Sequence, residues 1–300
     1  MRKKIWIKRI VIGMAVLLGL AGAAVLAGVQ LAGQKMQRKV AVTVSPVAWG
    51  EDAQALGRGR YLYASRGCVD CHGANGAGKL FVDDGKGLRI GGPNISPGPG
   101  NVVAGYKPED WVRSIRHGVA PDGRPLMIMP SEDFNRFTDT DLASLVGYIR
   151  SLPPAPGGGP ILELPVPVRA LYGFGVITDA AAKIDHTLPP SAPVEAGVNV
   201  PHGAYVANMC MGCHGEKLAG GKIPGGPPDW PAAANLTPGE GSVMGQYPNA
   251  TAFSRMFKSG KRADGSEIKV MPFGSLREIN DTDMQALYLY LQSLAPQPKG

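Results

Sequence analysis

Two short segments hold the residues best suited to chemistry in this chain: Cys68-Val69-Asp70-Cys71-His72 and Cys210-Met211-Gly212-Cys213-His214. C-x-x-C-H is the spacing of c-type haem attachment. Two thiols one short turn apart add across the vinyl groups of a porphyrin, and the adjoining imidazole falls under the iron as its proximal ligand. The motif therefore assigns Cys68, Cys71, Cys210 and Cys213 to covalent bonds and His72 and His214 to metal, for two covalently bound haem c groups. All four cysteines of the chain are consumed, which leaves no thiol for a disulfide. A zinc site would need both cysteine pairs to share one metal, and a thioredoxin-like redox pair would need only one of them. Neither explains a histidine directly after each pair.

Each iron needs a sixth ligand, and an internal repeat supplies the argument for it. In the register that lays Cys68 on Cys210, the residues Cys71, His72 and Gly73 fall on Cys213, His214 and Gly215. The same register carries Asp122-Gly123 to Asp264-Gly265, Met129-Pro130 to Met271-Pro272, and Asp139-Thr140-Asp141 to Asp281-Thr282-Asp283. A repeat of this length is a duplicated domain, not a solenoid unit. Met129 stands as far beyond His72 as Met271 stands beyond His214, and each is followed by proline. A thioether favours Fe(II), so His/Met ligation raises the reduction potential. Proline stiffens the loop that must hold the sulfur. Met129 and Met271 are thus the expected distal ligands, against the alternative of gap-filling core methionines. Met127 is a rival in the first copy, but its repeat partner is Lys269.

The elements that must position these ligands read as helices. Asp52 to Ser65 has helical apolar spacing ahead of the first motif, and Gly203 to Met209 is its counterpart, with Tyr205 placed on Tyr63. Glu109 to His117 is mirrored by Ala250 to Ser259. Thr138 or Asp139 caps a helix with the stripe Leu142, Leu145, Val146, Ile149 and Leu152; Asn280 or Asp281 caps the equivalent stripe Met284, Leu287, Leu291 and Leu294. Gly/Pro-rich stretches containing Asn94-Ile95-Ser96-Pro97 and Asn235-Leu236-Thr237-Pro238 read as loops wrapped on the porphyrin edge. No segment has strand period, so the expected fold class is all-α. His117, His186 and His202 have no repeat partner and read as surface or packing residues. Arg113 and Arg116 suit haem propionates, with a solvated helix face as the alternative.

Composition excludes one class of partner. The net charge is +7, but residues 1–50 carry eight Lys or Arg and no acid, while residues 51–300 carry 23 basic and 24 acidic residues. The basic balance belongs to the N-terminus, and no nucleic-acid partner is expected. Ile10 to Gln34 carries no charge and follows Arg2, Lys3, Lys4, Lys8 and Arg9. That run is longer than a signal-peptide core and matches the ~20 residues needed to span a bilayer, so the chain is expected to reach the membrane by one N-terminal helix. A cleavable signal peptide is the alternative, with Ala21-Gly22-Ala23 and Ala27-Gly28 as small residues for cleavage. The expected organisation is an anchor over 1–35, a first domain over 51–155, a Pro/Gly-rich linker over 156–196 and a second domain over 197–297. Apolar residues in the linker, among them Val166, Leu171, Tyr172 and Phe174, imply that it packs across both domains.

The C-x-x-C-H motifs, the Asn-Ile-Ser-Pro and Asn-Leu-Thr-Pro loops, the Met-Pro pairs and the Asp-Thr-Asp helices ending in Ser-Leu cover residues 52–296. In these features the chain resembles the membrane-bound dihaem class I cytochromes c. Among them it is most similar to the cytochrome c subunits of bacterial periplasmic dehydrogenases, such as the alcohol and gluconate dehydrogenase complexes. Those subunits typically carry three haem motifs and a C-terminal anchor, where this sequence has two motifs and an N-terminal apolar run. The resemblance implies two tandem cytochrome c domains held outside the bacterial inner membrane, in the periplasm where haem c is attached. It implies electron transfer between a respiratory, photosynthetic or dehydrogenase complex and a downstream acceptor, with redox proteins or a larger membrane assembly as partners. The alternative is a dihaem redox enzyme resembling thiosulfate dehydrogenase or a peroxidase, which would need an open axial position at one iron.

Overall fold

In the computed structural model, which describes residues 2–227, 229–298 and 300, the chain begins with one long helix, α1 (Arg2–Gln37). Within it, Lys4–Gln37 is long and apolar enough to cross a membrane, and an 18-residue stretch of it has a mean hydropathy of 2.6. The first repeat follows: α2 (Ala53–Ser65), α3 (Cys68–His72), strands β1 (Lys79–Asp83) and β2 (Arg89–Gly92), α4 (Pro108–His117) and α5 (Asp139–Ser151). The connecting segment contributes β3 (Ile161–Glu163), α6 (Val166–Gly173) and α7 (Ala180–Lys183). The second repeat holds α8 (Val200–Ala207), α9 (Met211–His214), α10 (Ala250–Ser259), α11 (Phe273–Leu276) and α12 (Asp281–Ser293). The fold is mostly helical, as the sequence implies.

Side-chain caps set the helix boundaries. Asp52 accepts from the Ala55 amide, Thr138 from Asp141, Asn199 from His202, and Asn280 from Asp283. Each satisfies an amide that the first helical turn leaves without a partner. Of the candidate caps read from sequence, Thr138 and Asn280 are the ones used, and the aspartates after them lie inside the helix.

The core of each repeat is a crossing of its first helix on its last, α2 on α5 and α8 on α12. The crossings are close because of glycine. A Cβ added at Gly59 would strike the Ser144 carbonyl, and one added at Gly203 would strike the Ala286 carbonyl. Ser144 and Ala286 keep the register that the haem motifs set, but Gly59 and Gly203 stand two positions out of it. The register of the repeat therefore slips by two ahead of the haem motif. The structural partner of Tyr205 is Tyr61 and not Tyr63, and the slip also gives His202 a partner, Arg58. The physical reason is a shorter junction: a two-residue turn separates α2 from α3, whereas α8 runs through a 3-10 turn (Asn208–Cys210) directly into α9.

Three short strands, which no sequence period announces, form an antiparallel sheet in the order β1-β2-β3. The β1–β2 hairpin closes on Asp84, whose carboxylate accepts from the amides of Lys86 and Leu88. Arg89 ties the sheet across its width by pairing with both Asp83 and Glu163. Strands of three to five residues are too short for alternation to stand out, and β3 comes from the far side of the domain.

The connecting segment packs differently from the expectation that it spans both domains. Its helix α6 lies on α1, and α7 lies on the turn Ser131–Asp133 of the first repeat. Tyr172 is fully buried, and its hydroxyl donates to Asp179, which also takes a two-pronged bond from Arg38 at 2.6–2.7 Å. Ala170, Tyr172 and Gly173 of the segment are thus buried against the long helix, and the two repeats meet each other directly.

Candidate haem centres

The first C-x-x-C-H motif forms the short helix α3, and the second runs from the last residue of the 3-10 turn, Cys210, through α9, so in each the two sulfurs and the imidazole project from one compact platform. The imidazoles are oriented from behind. His72 Nδ1 lies 2.9 Å from the Pro93 carbonyl oxygen, and His214 Nδ1 lies 2.8 Å from that of Ala234. A carbonyl can only accept, so Nδ1 carries the proton in both rings and Nε2 keeps its lone pair for a metal. Burial lowers both histidine pKa values against the opposing pull of these carbonyls, which keeps the rings neutral. Burial also raises the Cys68 and Cys210 thiols to about 12.

The two carbonyls are themselves placed by a buried asparagine one residue on. Asn94 Oδ1 accepts from the amide and hydroxyl of Ser96, while Nδ2 donates to the carbonyls of Pro99 and Ala155. Asn235 does the same with the amide and hydroxyl of Thr237 and with the Gln297 carbonyl. Both asparagines are wholly buried. Each closes its loop onto the chain just past the last helix of its repeat, so the histidine's hydrogen-bond acceptor is anchored at two points.

Both methionines of the Met-Pro pairs pack on a core cluster. Met129 packs against the first core cluster together with Cys68, and Met271 packs against the second together with Cys210. Met127 is absent from the residues packed on the first cluster. The chemistry of this donor set fits a haem: each repeat offers two thiols and a neutral imidazole on one motif, with the motif's first cysteine and a methionine thioether packed against the same apolar core. A further mark of fit is Trp111, whose buried Nε1 has no partner although its indole packs in that first core. An orphaned indole donor in a dry core is the kind of group that awaits a carboxylate. Arg113 and Arg116 already have protein partners, although Arg116 Nε is buried with none. Arg113 pairs with Asp110 at 2.6 Å, and Arg116 is held by the Phe137 carbonyl and Asp139.

A set of residues that motif reading passed over joins the two centres. Asp141, in the first turn of α5, receives a two-pronged bond from Arg58 at 2.8 Å and a 2.6 Å bond from Tyr205 of the second repeat. Asp283, at the same place in α12, is bonded by His202 at 2.8 Å and by Tyr61 of the first repeat at 2.6 Å. Arg66, 3% exposed, adds a 2.8 Å ion pair to Asp283. The tyrosine oxygens in turn accept from the backbone amides of Thr138 and Asn280. Burial works against charge on Asp283, but Arg66, Tyr61 and His202 outweigh it and hold the carboxyl at about 2. Asp133, just after the Met129-Pro130 pair, accepts from the Gly212 amide inside the second haem motif. In the other direction α11, which follows Met271-Pro272, packs on α3. Each haem motif therefore rests on the loop that follows the other repeat's methionine.

Fold, motif and loop define a tandem cytochrome c. Residues 54–149 match the family model described as cytochrome c oxidase, cbb3-type, subunit III, and residues 202–295 match that of cytochrome c. The chain thus carries two cytochrome c domains, whose cofactor is haem c. It is similar to the fructose dehydrogenase cytochrome subunit of Gluconobacter japonicus, at 29% identity over 80% of this chain and 52% of that one. It is also similar to the cytochrome c subunit of alcohol dehydrogenase (quinone) from Gluconacetobacter polyoxogenes, at 26% identity over 82% and 57%. The gluconate 2-dehydrogenase cytochrome c subunit of Pantoea cypripedii matches at 24% over 79% and 59%. The chain therefore spans little more than half the length of these relatives.

Proposed function

We propose that the chain is a membrane-anchored dihaem electron-transfer subunit that relays electrons between a periplasmic dehydrogenase and an acceptor at the membrane. The observation that carries this reading is the matched donor set. Cys-x-x-Cys-His with an oriented, neutral imidazole occurs in both repeats, and a methionine before proline lies in the same core each time. Bound there, haem iron supplies reversible one-electron exchange between its ferrous and ferric states. Cys68 and Cys71, with Cys210 and Cys213, fix the group covalently. His72 and His214 offer Nε2, and Met129 and Met271 offer the thioether. Were a histidine and a methionine to hold each iron in this way, the protein would leave no coordination position for a substrate, and the group would supply electron exchange alone. The cross-repeat bonds hold the two centres at one separation, which matters because tunnelling falls steeply with distance. The dehydrogenase is favoured as the partner because the relatives are dehydrogenase subunits. A periplasmic location, with α1 crossing the inner membrane once, follows from where haem c is attached.

The test is to isolate the protein from its native membrane in mild detergent. Mass spectrometry should show two covalent haems on a chain that retains α1, with a dehydrogenase catalytic subunit alongside. The reduced, intact protein should not bind carbon monoxide at neutral pH. Tight binding at one haem would expose a labile axial position and move the reading to a peroxidase- or thiosulfate dehydrogenase-like enzyme.

A further inference from the structure

The long helix is bare along most of its length and covered only near its end. From Ile5 to Leu26 its large apolar side chains stand 40–74% exposed. Its uncharged part, Ile10 to Leu26, measures roughly 25 Å at about 1.5 Å per residue, most of the ~30 Å hydrocarbon thickness of a bilayer. Immediately beyond it, Gly28 and Ala32 are buried. They are covered by α6: a Cβ at Gly28 would meet Ala170 and the Phe174 ring, and one at Gly173 would meet the backbone of Gly28 and Ala32. The mutual glycines let the two backbones approach closely, so α6 is fixed to α1 at the level where the bare stretch ends.

What α6 leaves uncovered is apolar. Val166 is 51% exposed, Leu171 41%, Phe174 53% and Val176 66%. Isolated exposed apolar residues are ordinary, but four within eleven residues beside the end of a bilayer-length helix form a patch continuous with it. Lys35, on α1 about 10 Å past Gly28, reaches back to donate to the Tyr172 carbonyl, and Arg38, just beyond the helix, is locked by Asp179 and Tyr172. With Arg169 on α6 itself, the apolar patch is bordered by cations, the makeup of an interfacial segment.

We infer that α6 and the turn after it, Val166 to Val176, seat in the surface of the lipid bilayer as a second membrane contact beside α1. This rests on the reading of α1 as a membrane span. One helix would leave the haem domains free to swivel. A second contact, tied to the first repeat through β3 and α7, holds the first centre at a fixed height and tilt above the lipid. A partner moving in the membrane then meets the same face at every encounter.

The proposal is tested on the haem-loaded full chain in phospholipid nanodiscs. Because haem attachment occupies the native thiols, a single added cysteine takes a nitroxide label alone. Labels on Phe174→Cys and Leu171→Cys should collide more often with oxygen than with a water-soluble nickel chelate, and a label on Leu18→Cys still more so. A label on Val198→Cys, on an exposed residue ahead of the second repeat, should show the reverse. Phe174 touches α1, so Leu171→Cys keeps the test valid if the first variant loosens the packing. An aqueous profile at 171 and 174 with a bilayer profile at 18 overturns the lipid contact alone. An aqueous profile at 18 overturns the span as well. Shielding of 171 and 174 from both reagents would assign the patch to a protein partner and overturn the lipid contact.

Discussion

Imidazole stabilises ferric iron more strongly than a thioether does, so Met129 and Met271 are the residues through which potential is set. Met129→His or Met271→His should lower one of two potentials by on the order of 0.1 V, a modest part of the roughly 0.8 V that axial ligands span. Met127→Leu should move neither, since Met127 lies outside the packed core. Redox titration of the three variants reads this directly. If the Met127 variant alone loses the spectrum of His/Met ligation, the ligand assignment by repeat register is wrong. The C-x-x-C-H motifs stand out in the sequence because covalent attachment dictates their spacing. The residues that join the centres were not. Tyr61 meets Asp283 across 222 positions, and the two-residue slip hides its match to Tyr205. The signal that could have found it is the glycine pair, since Gly59 precedes Tyr61 by two residues as Gly203 precedes Tyr205.

Among the elements, the buried asparagine loops and the glycine crossings carry distinct loads. Asn94→Ala removes two acceptor bonds and two donor bonds in a wholly buried setting, although the Ser96 amide keeps the Gly76 carbonyl, the Pro99 carbonyl keeps the Gly157 amide and the Ala155 carbonyl keeps the Ser96 hydroxyl. The expected cost is about 2–3 kcal/mol, read as a lower midpoint in chemical denaturation. Because Pro93 precedes Asn94, the hold on His72 should loosen with it, and the first haem's spectrum should broaden before the second's. Gly203→Ala should cost about 1–3 kcal/mol by forcing α8 off α12, with both covalent haems retained. Helix limits were legible because caps and proline stops are local signals. The sheet was not, since its strands are short and β3 returns to pair with β2 only after α4 and α5 have intervened. Nor was the destination of α6: its apolar residues announced burial without saying against what.

At the scale of the whole molecule, the two domains act as one body through buried charge. Arg66 and Asp283 are an ion pair almost sealed from water, and removing one partner from such a pair typically costs about 3–5 kcal/mol. Asp283→Asn should therefore separate the domains' unfolding into two transitions. Acid should do the same to the native protein. Asp283 titrates at about 2 when folded, against about 3.9 in an unfolded chain. Its contribution, about 2.5 kcal/mol, is complete above the unfolded value and is lost as pH falls through the folded one. Calorimetry between pH 5 and pH 2 should show this loss in the native chain and a much flatter response in Asp283→Asn. The tyrosine–aspartate bonds have a consequence of another kind. Tyr61 reaches the second repeat's aspartate, and Tyr205 reaches the first repeat's aspartate from the matching position. Such exchange of equal contacts is the mark of an isologous interface, the kind formed when two identical subunits pair about a two-fold axis. The first repeat still holds both halves of that clasp in Tyr61 and Asp141. The tandem is built as a homodimer would be after its gene was duplicated and fused, with the old subunit boundary kept as the contact between the repeats.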